Sequence, residues 1–281
     1  QYGAALAAFE RYLVAAPSDP YSAAYYQGLI FRAQMDYEAA VAQWDLIIQG
    51  SAEHALWDEA WEQKGYTLWA YMDRYAEGQQ TLLDFVSRAP THQRAAEFLF
   101  DAARVAERDQ RLEEAARLWE RIPTEYPTSH YVLRSLMSAG LARYRLHDYA
   151  SAQTDFWRAQ SLAMSQSERS AAYFWLGKTA AAQGDDTTAL ANFQQTVALD
   201  PTGYYSERAR DLLASLPPFA PPAVFDLGQD RATEIRQAES WMMQTFDFPA
   251  GTDFSVPGNL GSDPRYIRGQ ELWRLGRYSL A

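Results

Sequence analysis

With 281 residues, 48% hydrophobic content and nine tryptophans, the chain can bury a large apolar surface, but nothing requires a single globular core. Acidic residues outnumber basic ones 36 to 25, giving a formal charge of −11 and a pI near 4.9, which excludes the basic stripe that a phosphate backbone requires. The absence of cysteine excludes disulfides, thiolate metal sites and cysteine nucleophiles, and no apolar run approaches the roughly 18–20 residues of a bilayer-spanning helix.

Six times a small residue is followed four positions later by a bulky one on the same helical face: Ala5/Phe9, Ala40/Trp44, Gly78/Leu82, Ala115/Trp119, Ala152/Phe156 and Ala189/Phe193. Successive pairs are 35, 38, 37, 37 and 37 residues apart, the period of a helical-pair array. The opening pair, with Pro17 behind it, reads as a second helix without its first. Full units follow, each turning between its helices at a short stretch: Met35-Asp36-Tyr37, Met72-Asp73-Arg74-Tyr75, Arg108-Asp109-Gln110-Arg111-Leu112, Leu146-His147-Asp148-Tyr149 and Gln183-Gly184-Asp185-Asp186. A proline eight residues past the bulky residue closes the second helix at Pro17, Pro90, Pro127 and Pro201, while Ala52 and Met164 stand there in two units.

The clearest unit runs from about Ser170 to Pro201 and contains Tyr173, Leu176-Gly177, Ala189, Phe193 and Pro201. Gly177 and Ala189 are small where two antiparallel helices cross closely, Phe193 fills the gap toward its neighbour, and Pro201 stops the second helix. These residues resemble the tetratricopeptide repeat, whose unit has about 34 residues. The resemblance implies an all-α fold, a right-handed superhelix (solenoid) of helix pairs followed by a small helical linker region. The extra residues of each unit are expected between units, as a lengthened first helix or an inter-repeat turn around Thr128 to Tyr131, and not in the turn within a pair.

The array is expected to occupy residues 1–215. Leu216-Pro217-Pro218-Phe219-Ala220-Pro221-Pro222 carries four prolines, which forbid a helix and predict a stiff extended linker over 216–229. Ile235, Ala238, Met242 and Phe246 follow helical spacing and predict a helix from about Arg231 to Thr245. A Gly/Pro/Asp-rich loop over 249–262 follows, and Asp263-Pro264 reads as the cap and first turn of a last helix. Leu275-Gly276-Arg277-Tyr278 repeats the turn of Leu146-His147-Asp148-Tyr149, with Ala281 where Ala152 falls. Region 230–281 is therefore expected to be cut inside a unit, with the parent polypeptide continuing. Gln1 stands where a leader would begin, so any export signal is expected to have been removed or never present.

Tandem helix pairs wind so that their first helices line a concave face. The residues expected to point there are Tyr25, Arg32, Trp69, Arg104, Arg108, Tyr144, Arg145 and Lys178, a set of aromatics and cations suited to sugars, peptides or carboxylates. The basic-and-Asn pattern with which chaperone-binding repeats clamp a terminal carboxylate is not evident at these positions. His54, His92 and His130 are spaced 38 apart and are expected to form a row at the inter-repeat turns. Neighbouring repeats hold equivalent residues on the order of 10 Å apart, too far for shared coordination, so neither a metal nor any other cofactor is expected. Glu239-Ser240 with Met243-Gln244 resembles two pieces of a lysozyme-like signature, but they stand nearly adjacent on one predicted helix, without the cleft a catalytic carboxylate needs.

Pro217-Pro218-Phe219, Ala238-Glu239-Ser240-Trp241 and Asp263-Pro264-Arg265, then Arg268-Gly269, Glu271-Leu272-Trp273, Leu275-Gly276 and Tyr278, resemble the segment that joins superhelix to catalytic domain in soluble lytic transglycosylases. That resemblance implies an extracytoplasmic bacterial protein in which this chain positions peptidoglycan glycan strands or partner proteins for a C-terminal lysozyme-like domain beyond it. No catalytic residue of that family maps onto this chain, and no enzyme activity is expected of it. Glu125-Tyr126-Pro127-Thr128-Ser129 and Tyr131 are similar to the inter-repeat segment of envelope repeat lipoproteins of the outer-membrane-assembly and Tol-Pal-associated kinds. This implies the alternative, a non-enzymatic adaptor binding protein partners. Neither reading involves nucleic acid or a transmembrane segment. Ala189→Trp is expected to overpack the helix crossing by about 1–3 kcal/mol, and an unchanged melting curve would show that Ala189 lies elsewhere.

Overall fold

The structure, a computed structural model, describes residues 2–15, 18–218, 230–249, 251–255 and 258–280. Pro17, Ala281 and residues 219–229 of the expected linker lie outside the described residues. The chain divides into two units, Gln1–Ala220 and Pro221–Ala281. In the first unit, α1 (Tyr2–Val14) precedes five helix pairs: α2 (Pro20–Ala33) with α3 (Tyr37–Gly50), α4 (Trp57–Tyr71) with α5 (Tyr75–Arg88), α6 (Ala95–Arg108) with α7 (Leu112–Glu125), α8 (Tyr131–Arg145) with α9 (Tyr149–Leu162), and α10 (Gln166–Ala182) with α11 (Asp186–Leu199). A single helix, α12 (Tyr204–Leu213), closes the array. Each helix packs chiefly on its neighbours in the chain, the nearest-neighbour contact pattern of a helical solenoid.

The pairs close because a bulky side chain of the second helix lies on bare backbone of the first. A β-carbon added at Gly28 would stand 2.6 Å from Trp44, at Gly140 2.6 Å from Phe156, at Gly177 2.6 Å from Phe193 and at Gly65 2.9 Å from Leu82. Trp44 and Phe156 are completely buried, so their rings cannot swing aside. In the central pair Ala102, Ala103 and Ala106 of α6 are buried together with Trp119. Ala189 is buried in a cluster with Phe174, Ala180, Phe193 and Ala209. Phe193 therefore fills the space over Gly177 of its own pair, and the small residue four positions before it, Ala189, packs in the same seam.

Every turn inside a pair has three residues, and its middle residue takes the left-handed conformation: Met35 at φ 65°, Asp73 at 54°, Gln110 at 60°, His147 at 60° and Gly184 at 80°. In four of these turns the next residue donates its N–H to a carbonyl five positions back, as Asp36 does to Phe31 (2.9 Å) and Asp148 to Arg143 (3.0 Å), which closes the first helix with a Schellman bond. Asp36, Asp148 and Asp185 then cap the second helices by accepting the N–H of Ala39, Ser151 and Thr188. The extra residues of each unit fall outside these constant turns. They lie in the connectors before α4, α6 and α8, and in the greater length of α10, which spans 17 residues behind a Ser165–Glu168 capping box.

The connectors show that His130 does not belong to the expected row. His54 donates its backbone N–H to Ser51 and accepts that of Trp57, and His92 repeats this with Ala89 and Ala95. In the next unit the residue that does so is Ser129, between Tyr126 and Val132. Nδ1 of His54 and of His92 accepts the N–H two residues on at 3.2 Å, and the Ser129 hydroxyl accepts that of Tyr131 at 3.2 Å. The 38-residue spacing of the third histidine is one residue out of register, because α6, with 14 residues, is one shorter than α4, so the equivalent position recurs after 37.

Ion pairs stitch successive units. The Arg94 guanidinium reaches Asp58 (3.2 Å), Glu59 (3.5 Å), Glu62 (2.5 Å) and Glu97 (2.9 Å), tying α4 to α6 and remaining charged at all working pH values. Arg143 of α8 likewise joins Glu113 (2.7 Å) and Glu120 (2.9 Å) of α7. Beside this second network Asp155 of α9 is buried, and its Oδ2 has no hydrogen-bond partner. Arg158 approaches only to 3.9 Å. Burial, then the Glu120 charge, pushes the Asp155 carboxyl up to about 7, against the opposing pull of Arg158 and Arg143.

The second unit contains α13 (Arg231–Phe246), α14 (Pro264–Arg274) and two short 3₁₀ segments. Asp230 caps α13 through the N–H of Thr233, and Asp263 caps α14 ahead of Pro264. No residue of either helix is buried, and Ile235, Trp241, Phe246 and Trp273 are exposed. The stripe that predicts α13 therefore forms a helix without forming a core. Gly276, at φ 71°, and the Arg277 N–H bonded to Leu272 (2.9 Å) give α14 the same ending as the first helices of the array.

Two outcomes follow from the seams and the buried acid. Gly140→Val drives a branched side chain into the Phe156 ring and is expected to lower stability by about 1–3 kcal/mol, read as a lower melting temperature. The folded pKa of Asp155 lies above its unfolded value, so its contribution is full at acid pH and is lost as pH rises toward and through about 7. Asp155→Asn should therefore flatten the stability–pH curve across that window, the difference from the parent being on the order of a few kcal/mol at the alkaline end. Parallel curves for the two proteins would contradict this.

Candidate binding groove

First helices touch first helices across units, α6 on α8 and α10 on α12, so the array is tighter on that side and its inner face is built from α2, α4, α6, α8, α10 and α12. A groove of about 310 Å³ opens there between α4 and α6, lined by Glu62, Tyr66, Trp69, Leu82, Asp101, Arg104, Val105 and Arg108. Trp69 and Tyr66 meet edge to face with centroids 5.3 Å apart. The Arg108 guanidinium lies 4.9 Å over the Trp69 ring and makes no ion pair among the described residues. Arg104 pairs with Asp101 at 3.2 Å. Burial raises the Asp101 carboxyl above its ordinary range, and Arg104 opposes that shift.

The eight residues expected on this face separate into three groups. Trp69, Arg104 and Arg108 share the groove. Tyr25 and Arg32 stand at its α2 side with structural work to do: the Arg32 guanidinium lies 5.3 Å from the Trp44 ring, 5.7 Å from Tyr66 and 5.7 Å from Tyr71, and it also reaches the Thr67 hydroxyl at 3.4 Å. Tyr25 is half-buried, and burial, then Glu59 and Glu62, raises its phenol above its ordinary value. Tyr144, Arg145 and Lys178 do not reach the groove. Tyr144 packs edge-on against Tyr149 and Trp175, and Arg145 is bound to Glu107 at 2.9 Å and to Gln110 at 3.4 Å. Lys178 is half-buried on α10 and makes no ion pair among the described residues.

Tyr66, Glu62 and Asp101 belong to the groove but were not among the expected residues. Tyr66 carries a usable signal, since it stands three positions before Trp69 on the same helix face. Asp101 bears the same relation to Arg104. Glu62 gives none, because its role comes from Arg94 in the next unit.

A comparison with protein families matches the tetratricopeptide repeat over residues 1–55, 70–130 and 137–204. The chain belongs to the tetratricopeptide-repeat family. The C-terminal part of a tetratricopeptide repeat-containing protein from Cytophaga hutchinsonii has a similar fold, with a TM-score of 0.56 and 14% identity over 95% of this chain and 93% of that one. A MamA protein structure is also similar, with a TM-score of 0.49 and 13% identity over 72% of this chain and 99% of that one. No curated protein matches the sequence. At 14% identity the Cytophaga hutchinsonii structure supports the fold alone.

Proposed function

We propose that the chain is a non-catalytic scaffold whose inner groove grips an extended segment of a partner. Tetratricopeptide arrays bind partner proteins, and the observation that carries the reading here is Arg108 lying on Trp69 without a carboxylate, beside Tyr66 and Arg104. Flat rings with a cation held over them offer stacking and charge-assisted hydrogen bonds to a peptide or a sugar. The parent is proposed to be an extracytoplasmic bacterial protein of the soluble lytic transglycosylase type, this array orienting peptidoglycan strands for the protein's own C-terminal domain. Support comes from the Arg268-to-Tyr278 run, which falls on α14 and its array-like turn. A second reading, an envelope adaptor for protein partners, draws on Glu125 to Tyr131, where Ser129 builds the inter-repeat turn.

Co-sedimentation with purified peptidoglycan sacculi tests the first reading. The chain is expected to pellet, and Trp69→Ala with Arg108→Ala should weaken that association by about tenfold or more, equivalent to about 1.4 kcal/mol. A chain that stays in the supernatant would remove the glycan reading and leave the adaptor. Release of soluble fragments by this chain alone would show that catalysis was wrongly placed outside it.

A further inference from the structure

The inner face carries a second cavity, of about 320 Å³, built by three successive first helices. Its floor is apolar. Leu133, Met137 and Leu141 recur every four residues along α8, and Ala171 of α10 and Tyr205 of α12 close the far side. Leu133, Met137, Leu141 and Tyr205 are only partly buried, so the floor remains open to an incoming side chain. The volume is at the low end of the range for ligand pockets, about 300–1,000 Å³, and suits a single large side chain with its backbone.

Charge at the rim distinguishes this cavity from the groove beside it. Asp58 and Glu59 stand in the first turn of α4 and Glu97 in that of α6, whereas α8 has no acidic residue there. The register of Glu97, which pairs with Arg94, is taken in α8 by Arg134. Arg134 is exposed, lies 4.8 Å over the Phe100 ring of α6, and makes no ion pair among the described residues. His130, displaced from the turn row, lies against Tyr131 with the rings tilted by 39° and faces the same rim. Glu168 is the one acid of this lining: its Oε2 accepts the N–H of Met164 at 3.1 Å and of Ser165 at 2.9 Å, which hold the carboxylate at the α10 N-terminus and keep it ionised, so the incoming acid is placed on Arg134, away from Glu168. In a chain of net charge −11, an unpaired arginine beside an open apolar floor is complementary to an acid next to an apolar residue.

We infer that this cavity anchors an internal acidic-and-apolar segment of the same partner chain: an aliphatic or aromatic side chain enters between α8, α10 and α12, and a neighbouring Asp or Glu pairs with Arg134. The inference rests on the reading of the α4–α6 groove as a partner site. Helix α6 contributes to both places, giving Arg104 and Arg108 to the groove and Phe100 beneath Arg134, and the proposed segment runs past both and does not end in the cavity.

The test is to pan a random peptide library displayed on phage against the whole chain and to synthesise the enriched peptides with free and with blocked termini. Enriched sequences should pair an apolar residue with Asp or Glu and should bind equally well with blocked termini. Their affinity should fall about tenfold or more in Arg134→Glu and in Met137→Glu, and changing the peptide's acid to Lys should restore binding to Arg134→Glu. Melting curves and circular dichroism matched to the parent protein show that the variants fold. Peptides that depend on Trp69 and Arg108 but ignore Arg134 and Met137 overturn the second site and leave the groove reading intact. Binding that requires a free C-terminus overturns the internal segment. A concentration-dependent dimer lost in the same variants replaces the partner with a second copy, and no enrichment at all overturns the peptide anchor, while the glycan reading of the groove is decided separately by the sacculus assay.

Discussion

The array depends on one steric relation: a bulky side chain of each second helix resting on glycine or alanine of the first. Gly28 under Trp44, Gly140 under Phe156 and Gly177 under Phe193 bring two backbones close enough that no β-carbon fits between them and the ring. Because interiors are packed as densely as molecular crystals, that contact fixes the distance and register of each pair. Everything functional is downstream of it. A first helix held in register presents the same few positions to the inner face in every unit, and what those positions carry decides what the face can hold.

Two kinds of electrostatics share that scaffold. Arg94 and Arg143 are saturated with carboxylates from neighbouring units and act as staples, where the gain from pairing is offset by the cost of drawing charges out of water. Arg108 and Arg134 lie over aromatic rings, pair with no carboxylate among the described residues and keep their binding capacity. The distinction cannot be made from residue type. Arg145, equally basic and placed at the same helix end as Arg108, is neutralised by Glu107.

The two units show how far periodicity reaches. In the array, helical spacing and a buried core coincide because each apolar stripe faces another helix. In α13 the stripe of Ile235, Ala238, Met242 and Phe246 predicts the helix within one residue of its end, yet both Ile235 and Phe246 are exposed. Amphipathic spacing specifies a helix and a face, and burial requires a second surface to meet that face.

The sequence alone determined the all-helical class, the repeat period, the short constant turns within pairs, the cap at Asp263, and the placing of extra residues outside those turns, because each depends on local spacing or backbone conformation. It also brought Trp69, Arg104 and Arg108 to one face. Only the tertiary structure decided which cations were spent: Arg32 clamps three rings, Arg145 is paired, and Tyr144 is packed against Trp175. It also moved His130 out of the turn row, where Ser129 takes its place, and left Asp155 buried without a close cation. The partners involved are residues on neighbouring helices, many of them about one repeat away. A helix one residue shorter in the preceding unit, or a carboxylate in the next one, changes a side chain's surroundings without changing its own local sequence.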